Sequence, residues 1–419
     1  MLTRRTFIGA VGAGAATWGT VRPALGDVTP HRRIAIITTV WTYLSHAQHM
    51  GDRFLVGYPR HGQWHKPPLQ VVSLYVDQKP EGDLSAQRAA EHGFSIYPTV
   101  AEALRCGGDK LAVDGIVTIG EHGNYPRNEK GQILYPRFEF FQQAVKVFEQ
   151  DQRVVPIFND KHLSYSWEKA QKMVADSKRL KFPFLAGSSL PVTWRLPPVE
   201  VPYGAELQEA LMVGVGSSDA MDYHALEAMQ CMVERRKGGE TGIKSVQMLE
   251  GDAVWKAGND GRWSTRLLEA ALSRSDSLQG DSQLDSRPQD LAHNGKLQKL
   301  VKDPAAYLIE RTDGLRTTLL MLNGATQDFT FAAKLKGGEI LSTQFFLPPT
   351  PNVTYSACLV AQIEEMILTG RAPYPVERTQ IASAMLDRCL DSKMADHRRI
   401  ETPELDISYQ APRESRFGG

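Results

Sequence analysis

The sequence predicts an α/β protein, a parallel-sheet half followed by an α+β half whose sheet is mostly antiparallel. Three observations predict it. Short β-branched apolar runs alternate with helix-period segments over residues 32–187. Pro191, Pro197, Pro198 and Pro202 mark a crossing after them. Beyond the crossing, period-two alternation surrounds an Asp-Gly hairpin signal. With 419 residues, 42% hydrophobic and 23% charged, the chain is long enough for a sizeable core and for two domains.

The first strand falls within Arg33–Val40, and similar runs recur at Leu69–Val76, Gly115–Ile119, Val154–Phe158 and Phe182–Ala186. Runs apolar on both faces suit a parallel sheet covered by helices on each side. The intervening helical patterns are Leu84–His92, Val100–Arg105, Tyr135–Gln150 and Ser166–Arg179, while Gly57–Pro68 reads as an insertion without an element. In the second half, a helix over Ala225–Arg236 ends at Gly238-Gly239, with Glu234–Lys237 as its basic end. Tyr307–Leu322 holds two strands around Asp313-Gly314, and Phe329–Lys334 extends their sheet. Ser273–Asn294 reads as a loop, and Val353–Thr369 and Glu377–Leu390 as helices.

Residues 1–26 differ from everything after them. Arg4-Arg5 precedes an apolar Gly/Ala/Val-rich run without acidic residues, the pattern of a twin-arginine export signal. Phe7–Val21 is shorter than a comfortable bilayer span, so no stable membrane anchor is expected, and cleavage is expected near Ala24-Leu25-Gly26. The expected location is periplasmic or secreted, with the twin-arginine machinery as a partner. Lys plus Arg number 48 and Asp plus Glu number 48, which argues against a nonspecific nucleic-acid binder. Cys106, Cys231, Cys358 and Cys389 include no C-x-x-C pair and read as buried small side chains.

Four segments carry a resemblance. They are Tyr97–Leu104, Val113–Ile119, Asp160-Lys161-His162-Leu163-Ser164, and Asp219–His224 at the opening of a helix. Over about residues 32–390 the chain resembles the glucose-fructose oxidoreductase/inositol dehydrogenase/MocA family. The resemblance implies a Rossmann-like domain over 32–187, a substrate and oligomerisation domain over 188–419, and a sugar or polyol derivative as ligand. It further implies an oxidoreductase using NAD(P), and a homo-oligomer is compatible with it. The cofactor would meet Thr39, Asp77 and Glu121. The family's glycine-rich turn is missing, however: Thr38–His46 contains no glycine, and Trp41 and Tyr43 are expected to obstruct a pyrophosphate.

Lys161 follows a buried run, so its amine is expected at the carboxyl edge of the sheet, where it can polarise a hydroxyl or carbonyl. His224 is the expected acid/base partner, with Asp222 or Asp219 fixing its tautomer and Tyr223 beside it at the substrate. His46 and His49, three residues apart with Asp52 beyond, share a helical face, and Glu121 and His122 end a neighbouring strand. These groups suit a polyol-binding wall, with a divalent metal as the alternative; no metal ligand is assigned. Trp41, Tyr43, Tyr125 and Trp194 are candidate platforms for a sugar ring. The alternatives to sugar oxidation are a non-redox carbohydrate lyase, hydrolase or isomerase and a sugar-binding protein without catalysis.

Overall fold

The computed structural model describes residues 31–280, 290–293 and 295–418; the expected leader and, of the expected 273–294 loop, residues 281–289 and 294 lie outside them. Strands β1 (Arg32–Thr38), β2 (Leu69–Val76), β3 (Ser95–Ile96), β4 (Gly115–Ile119), β5 (Ile157–Asp160) and β6 (Phe184–Gly187) form one sheet. Its order is β3-β2-β1-β4-β5-β6, and its pairings are parallel. Helices α1 (Asp52–Val56), α2 (Ser85–His92), α3 (Val100–Arg105), α4 (Arg137–Asp151) and α5 (Trp167–Leu180) connect these strands. The order reverses between β1 and β4, which opens a crevice at the carboxyl ends of the strands.

Local chemistry sets the boundaries. Pro156 and Pro183 have no N–H to donate, so the ladder starts one residue past each, at Ile157 and Phe184. The expected strands at Val154 and Phe182 therefore begin later and end later. This places Asn159 and Asp160 inside β5, with Lys161 immediately after it. Ser166 caps α5 by accepting the Lys169 N–H at 3.3 Å. The segment read as an unstructured insertion instead folds as a two-stranded ribbon, Tyr58–Arg60 against Gln63–His65.

The second sheet contains β7 (Arg195–Leu196), β8 (Leu207–Gly214), β9 (Ile243–Glu250), β10 (Ala305–Arg311), β11 (Arg316–Met321), β12 (Phe329–Leu335), β13 (Ile340–Phe345) and β14 (Ile400–Glu401). The order is β14-β9-β10-β11-β8-β12-β13-β7, antiparallel except for β8 beside β11. The hairpin around Asp313-Gly314 is β10–β11, with Glu310 opposite Arg316.

Helix α6 (Ala220–Val233) starts five residues before the expected Ala225. Asp219 and Asp222 form a capping box that nucleates it there. Its C-terminal end also differs from expectation. Arg235 and Arg236 turn inward, Arg236 to Glu240 and Asp313, while Glu234 receives the Arg378 guanidinium. Two further helices, α7 (Asp252–Asn259) and α8 (Thr265–Leu272), cover one face of the second sheet, and the segment read as a loop includes a helical turn at Asp290–His293. Helix α9 (Ser356–Thr369) returns to the first sheet, packing with Ile34, Ile36 and Val117, while α10 (Glu377–Met394) joins α6 on the second.

Gly187 ends β6 with φ +126°, and a Cβ there would overlap the Glu227 carboxylate. Glu227 is fully buried and accepts the Ser188 N–H and hydroxyl at 2.8 Å each and the Thr379 hydroxyl at 3.0 Å. It thereby ties β6 to α6 and α10. We expect Gly187→Ala to lower unfolding free energy by about 2–4 kcal/mol, since strain and overlap combine there. Gly82→Ala, also at positive φ but with open space around it, should cost about 1 kcal/mol. Urea unfolding of the two variants distinguishes them; equal losses would mean that the Glu227 contact contributes nothing.

Candidate active site

A cavity of about 300 Å³ opens at the carboxyl edge of the first sheet, and the second half of the chain roofs it. The turn after β1 supplies His46, His49 and Met50, the end of β4 supplies Glu121 and His122, and β5 with its next residue supplies Asp160 and Lys161. From the second half come Met221 and His224 on α6, Phe329 on β12, and Leu347. Tyr355 and Ser356 close one side at the start of α9. Lys161 and His224 therefore line one cavity.

Glu121 lies at its base. Lys161 Nζ is 2.8 Å from Glu121 Oε1, and Arg137 Nη2 donates to Oε2. All three side chains are nearly inaccessible to solvent. Burial opposes ionisation of Glu121, but the two cations outweigh it and hold its pKa well below the ordinary carboxylate value. Arg137 also donates to His162 Nε2 at 3.0 Å, and burial beside that guanidinium pushes the His162 pKa down. Gly120 permits this arrangement, because a Cβ there would lie 2.6 Å from Arg137 Cγ.

Beside this trio, His46 Nδ1 lies 2.6 Å from Asp160 Oδ2. The contact occupies Nδ1 and leaves Nε2 as the remaining ring nitrogen of His46, the arrangement in which a carboxylate orients an imidazole base. The rings of His49 and His122 lie 5.6 and 5.1 Å from His46. Burial and then His46 lower the His122 pKa to about 4 and the His49 pKa to about 3. His224 is half-buried, its Nδ1 has no partner, and burial followed by Lys161 lowers its pKa. Lys161 and His122 have φ of +61° and +68°, left-handed conformations that non-glycine residues avoid.

Several expected roles do not survive the geometry. Asp222 is turned away from His224: it accepts the Tyr307 hydroxyl and the Asp219 N–H, and burial raises its pKa to about 6. The helix starts early enough that the i, i+2 spacing puts Asp222 and His224 on different sides of α6. Tyr223 is fully buried in the second core and does not line the cavity. Asp52 pairs with Arg88, at 2.9 Å. None of Trp41, Tyr43, Tyr125 and Trp194 lines the cavity; Trp41 packs under Gly51 and stacks near Phe94. The apolar wall instead includes Phe329, Met221 and Leu347. Asp160 and Arg137 were not singled out by sequence; Asp160 directly precedes Lys161, which was the available signal, whereas nothing local marks Arg137. Among the described residues, no group of three or more His, Cys, Asp or Glu is arranged to hold a metal ion.

A dinucleotide in a fold of this kind rests its pyrophosphate on free N–H groups of the turn after β1. Here several N–H groups of that turn have partners within the chain. Thr39 N–H donates to Ile119 O at 3.3 Å, Thr42 N–H to Ser45 Oγ at 3.1 Å, and Leu44 N–H to Gln48 Oε1 at 2.5 Å. The helix then opens as a π-turn, Ala47–Gly51. Thr39 is buried, its hydroxyl donating to the Glu121 backbone oxygen at 2.6 Å, and each Glu121 carboxylate oxygen is paired with a cation. Asp77 accepts the hydroxyls of Tyr75 and Tyr125 at 2.7 and 2.6 Å, one on each carboxylate oxygen. The residues expected to hold NAD(P) do not fit a dinucleotide laid across the switch point.

Comparison with solved structures places the fold. GenD2 from gentamicin A biosynthesis, in complex with NAD, is 12% identical, covers 94% of this chain and 99% of its own, and superposes with a TM-score of 0.52. Myo-inositol 2-dehydrogenase from Lactobacillus plantarum is 11% identical over 88% of this chain and 99% of its own, with a TM-score of 0.51. Myo-inositol dehydrogenase from Lactobacillus casei, in complex with NAD(H) and myo-inositol, is 10% identical over 88% and 96%, also at 0.51. At these identities the likeness is one of fold. No protein-family model and no curated protein matches the sequence.

At pH 5.5, where an ordinary imidazole is mostly protonated, the His49 and His122 rings should remain neutral. Their folded pKa values lie below the unfolded one, so their contribution to stability is complete above about pH 6.5 and is eroded as pH falls toward about 4 and 3. Asp222 and Glu227, raised to about 6 and 7, pull the other way, so the discriminating measurement is residue-resolved NMR titration of the rings. Midpoints above 6 for both histidines would contradict the buried, neutral cluster.

Proposed function

We propose that this chain is a divergent relative of the glucose-fructose oxidoreductase/inositol dehydrogenase/MocA proteins and a non-redox enzyme. It moves protons on a small sugar derivative, as a lyase or isomerase. The observation that carries the reading is the His46–Asp160 pair, at 2.6 Å, beside the Lys161–Glu121 pair, at 2.8 Å, in one cavity of sugar size. The fold shared with inositol dehydrogenases supports the substrate class. The twin-arginine pattern at Arg4-Arg5 supports export of the folded protein to the periplasm or beyond.

In this reading a sugar carbonyl accepts a hydrogen bond from Lys161 Nζ. His46 Nε2 takes a proton from the adjacent carbon, and the C–H electron pair becomes the enol double bond while the carbonyl π pair moves to oxygen. Lys161 protonates or stabilises that oxygen, and Asp160 stabilises the imidazolium formed on His46. Return of the proton from His46 to the former carbonyl carbon, as the adjacent hydroxyl gives up its proton and its O–H pair becomes the new carbonyl, isomerises the sugar; loss of a β-oxygen substituent with its electron pair gives elimination. His49, His122 and His224, held neutral, serve as hydrogen-bonding partners for hydroxyl groups.

A panel of keto-sugars and keto-polyols incubated with the protein in D₂O should show deuterium entering the carbon next to the carbonyl, or eliminated product. His46→Asn should slow this by about 10²–10⁴-fold, the range for a lost general base, with Asp160→Asn slowing it less. Lys161→Met should lower kcat more than it raises KM, because its charge acts on the oxygen as negative charge develops there. A panel without exchange or elimination, or His46→Asn at wild-type rate, removes the proposal.

A further inference from the structure

We propose that the segment following β4 is a built-in occupant of the dinucleotide crevice, and that Asp77 clamps it there as a positioning residue for Glu121 and His122. The inference goes beyond the proton-transfer reading, since it concerns what fills the crevice beside the cavity and would hold for any chemistry carried out there.

The observations form a continuous chain. After β4 the backbone does not enter a helix directly; residues 120–136 intervene before α4. Gly123, at φ +101°, turns the segment back across the end of β1, where a Cβ would lie 3.3 Å from Val40 Cγ1 and 3.1 Å from Gln78 Oε1. Asn124 and Gln78 then pair through two hydrogen bonds, Asn124 N–H to Gln78 Oε1 at 2.9 Å and Gln78 Nε2 to Asn124 O at 3.1 Å. Tyr125 places its hydroxyl on Asp77 at 2.6 Å and its ring against Tyr135. The segment thus runs from the end of β4 past β1 to the residues just after β2. That is the path of a dinucleotide over a reversed strand order, from the switch point toward the carboxylate that would hold its ribose. Asp77 satisfies two tyrosine hydroxyls instead.

The same clamp bears on the cavity through covalent connection. Glu121 and His122 lie two to four residues before Asn124 and Tyr125. Thr39 Oγ1 holds the Glu121 carbonyl from the other side, and His122 is kept in a left-handed conformation. Releasing Tyr125 frees one end of a strained turn whose other end carries the partner of Lys161.

Two measurements test this on the full mature chain. The first uses NAD⁺, NADH, NADP⁺ and NADPH in calorimetric titrations, together with absorbance of the supernatant after denaturing freshly purified protein. No binding up to millimolar concentration and no released nucleotide are expected; nucleotide bound or released in stoichiometric amount overturns the occupancy. The second compares wild type with Tyr125→Phe and Asp77→Asn by NMR, using the His122 ring resonance assigned with His122→Gln. Both substitutions should move the His122 resonance and increase amide exchange of residues 121–125 at least tenfold, leaving the remote His397 resonance unchanged. Asp77→Glu, which keeps the acceptor, should restore part of the shift. A His122 resonance and amide exchange identical to wild type in Tyr125→Phe overturn the positioning role, whatever becomes of the proton-transfer activity. If the variants do not fold, the nucleotide titration of the wild-type protein still decides the occupancy.

Discussion

The site depends on one buried carboxylate. Glu121 is almost out of contact with water and is held between Lys161 and Arg137. Burying each such ion costs several kcal/mol, and the cost is met only when partners are placed with good geometry. The requirement fixes much around it: glycine at 120 to admit the Arg137 stem, a left-handed turn at Lys161, and His162 as the second partner of Arg137. The ammonium of Lys161 is thereby held at the cavity wall against Glu121.

The second constraint is the turn after β1. A glycine loop leaves backbone N–H groups open to an anion; in this turn the Thr39, Thr42 and Leu44 N–H groups are engaged internally by the Ile119 carbonyl, Ser45 and Gln48. The same turn delivers His46 to Asp160 and His49 to the cavity. The π-turn over Ala47–Gly51 is the local form of that change, since wider winding at a helix start is a common accompaniment of functional side chains. Both halves of the chain then contribute to one enclosure, because α9 returns to the first sheet and α6 presents His224 from the second.

Much of the fold is legible in the local pattern of the chain. β-branched runs covered on both faces can do little except form a parallel sheet, and the Asp313-Gly314 hairpin has strong local turn chemistry. The placing of Lys161 at a strand end, and of Glu121 and His122 at a neighbouring one, followed from the same pattern. The structure departs from these expectations at two places. Asp222 and Tyr223 were read as preceding a helix, but a capping box moved its start upstream and put one against Tyr307 and the other in the core. The aromatics near the turn were read as ring platforms, yet Trp41 was needed for packing and Tyr125 for Asp77.

By itself the sequence determined the succession of elements, the absence of a glycine turn and which titratable residues end the central strands, because apolar periodicity, proline and glycine act over a few neighbouring residues. Only the tertiary structure decided that His46 meets Asp160, that Arg137 lies beneath Glu121 and that Asp77 is occupied by Tyr125. Those contacts join residues 16 to 114 positions apart. Which side chains such distant segments present to one another depends on strand order and burial, and no local pattern carries that information.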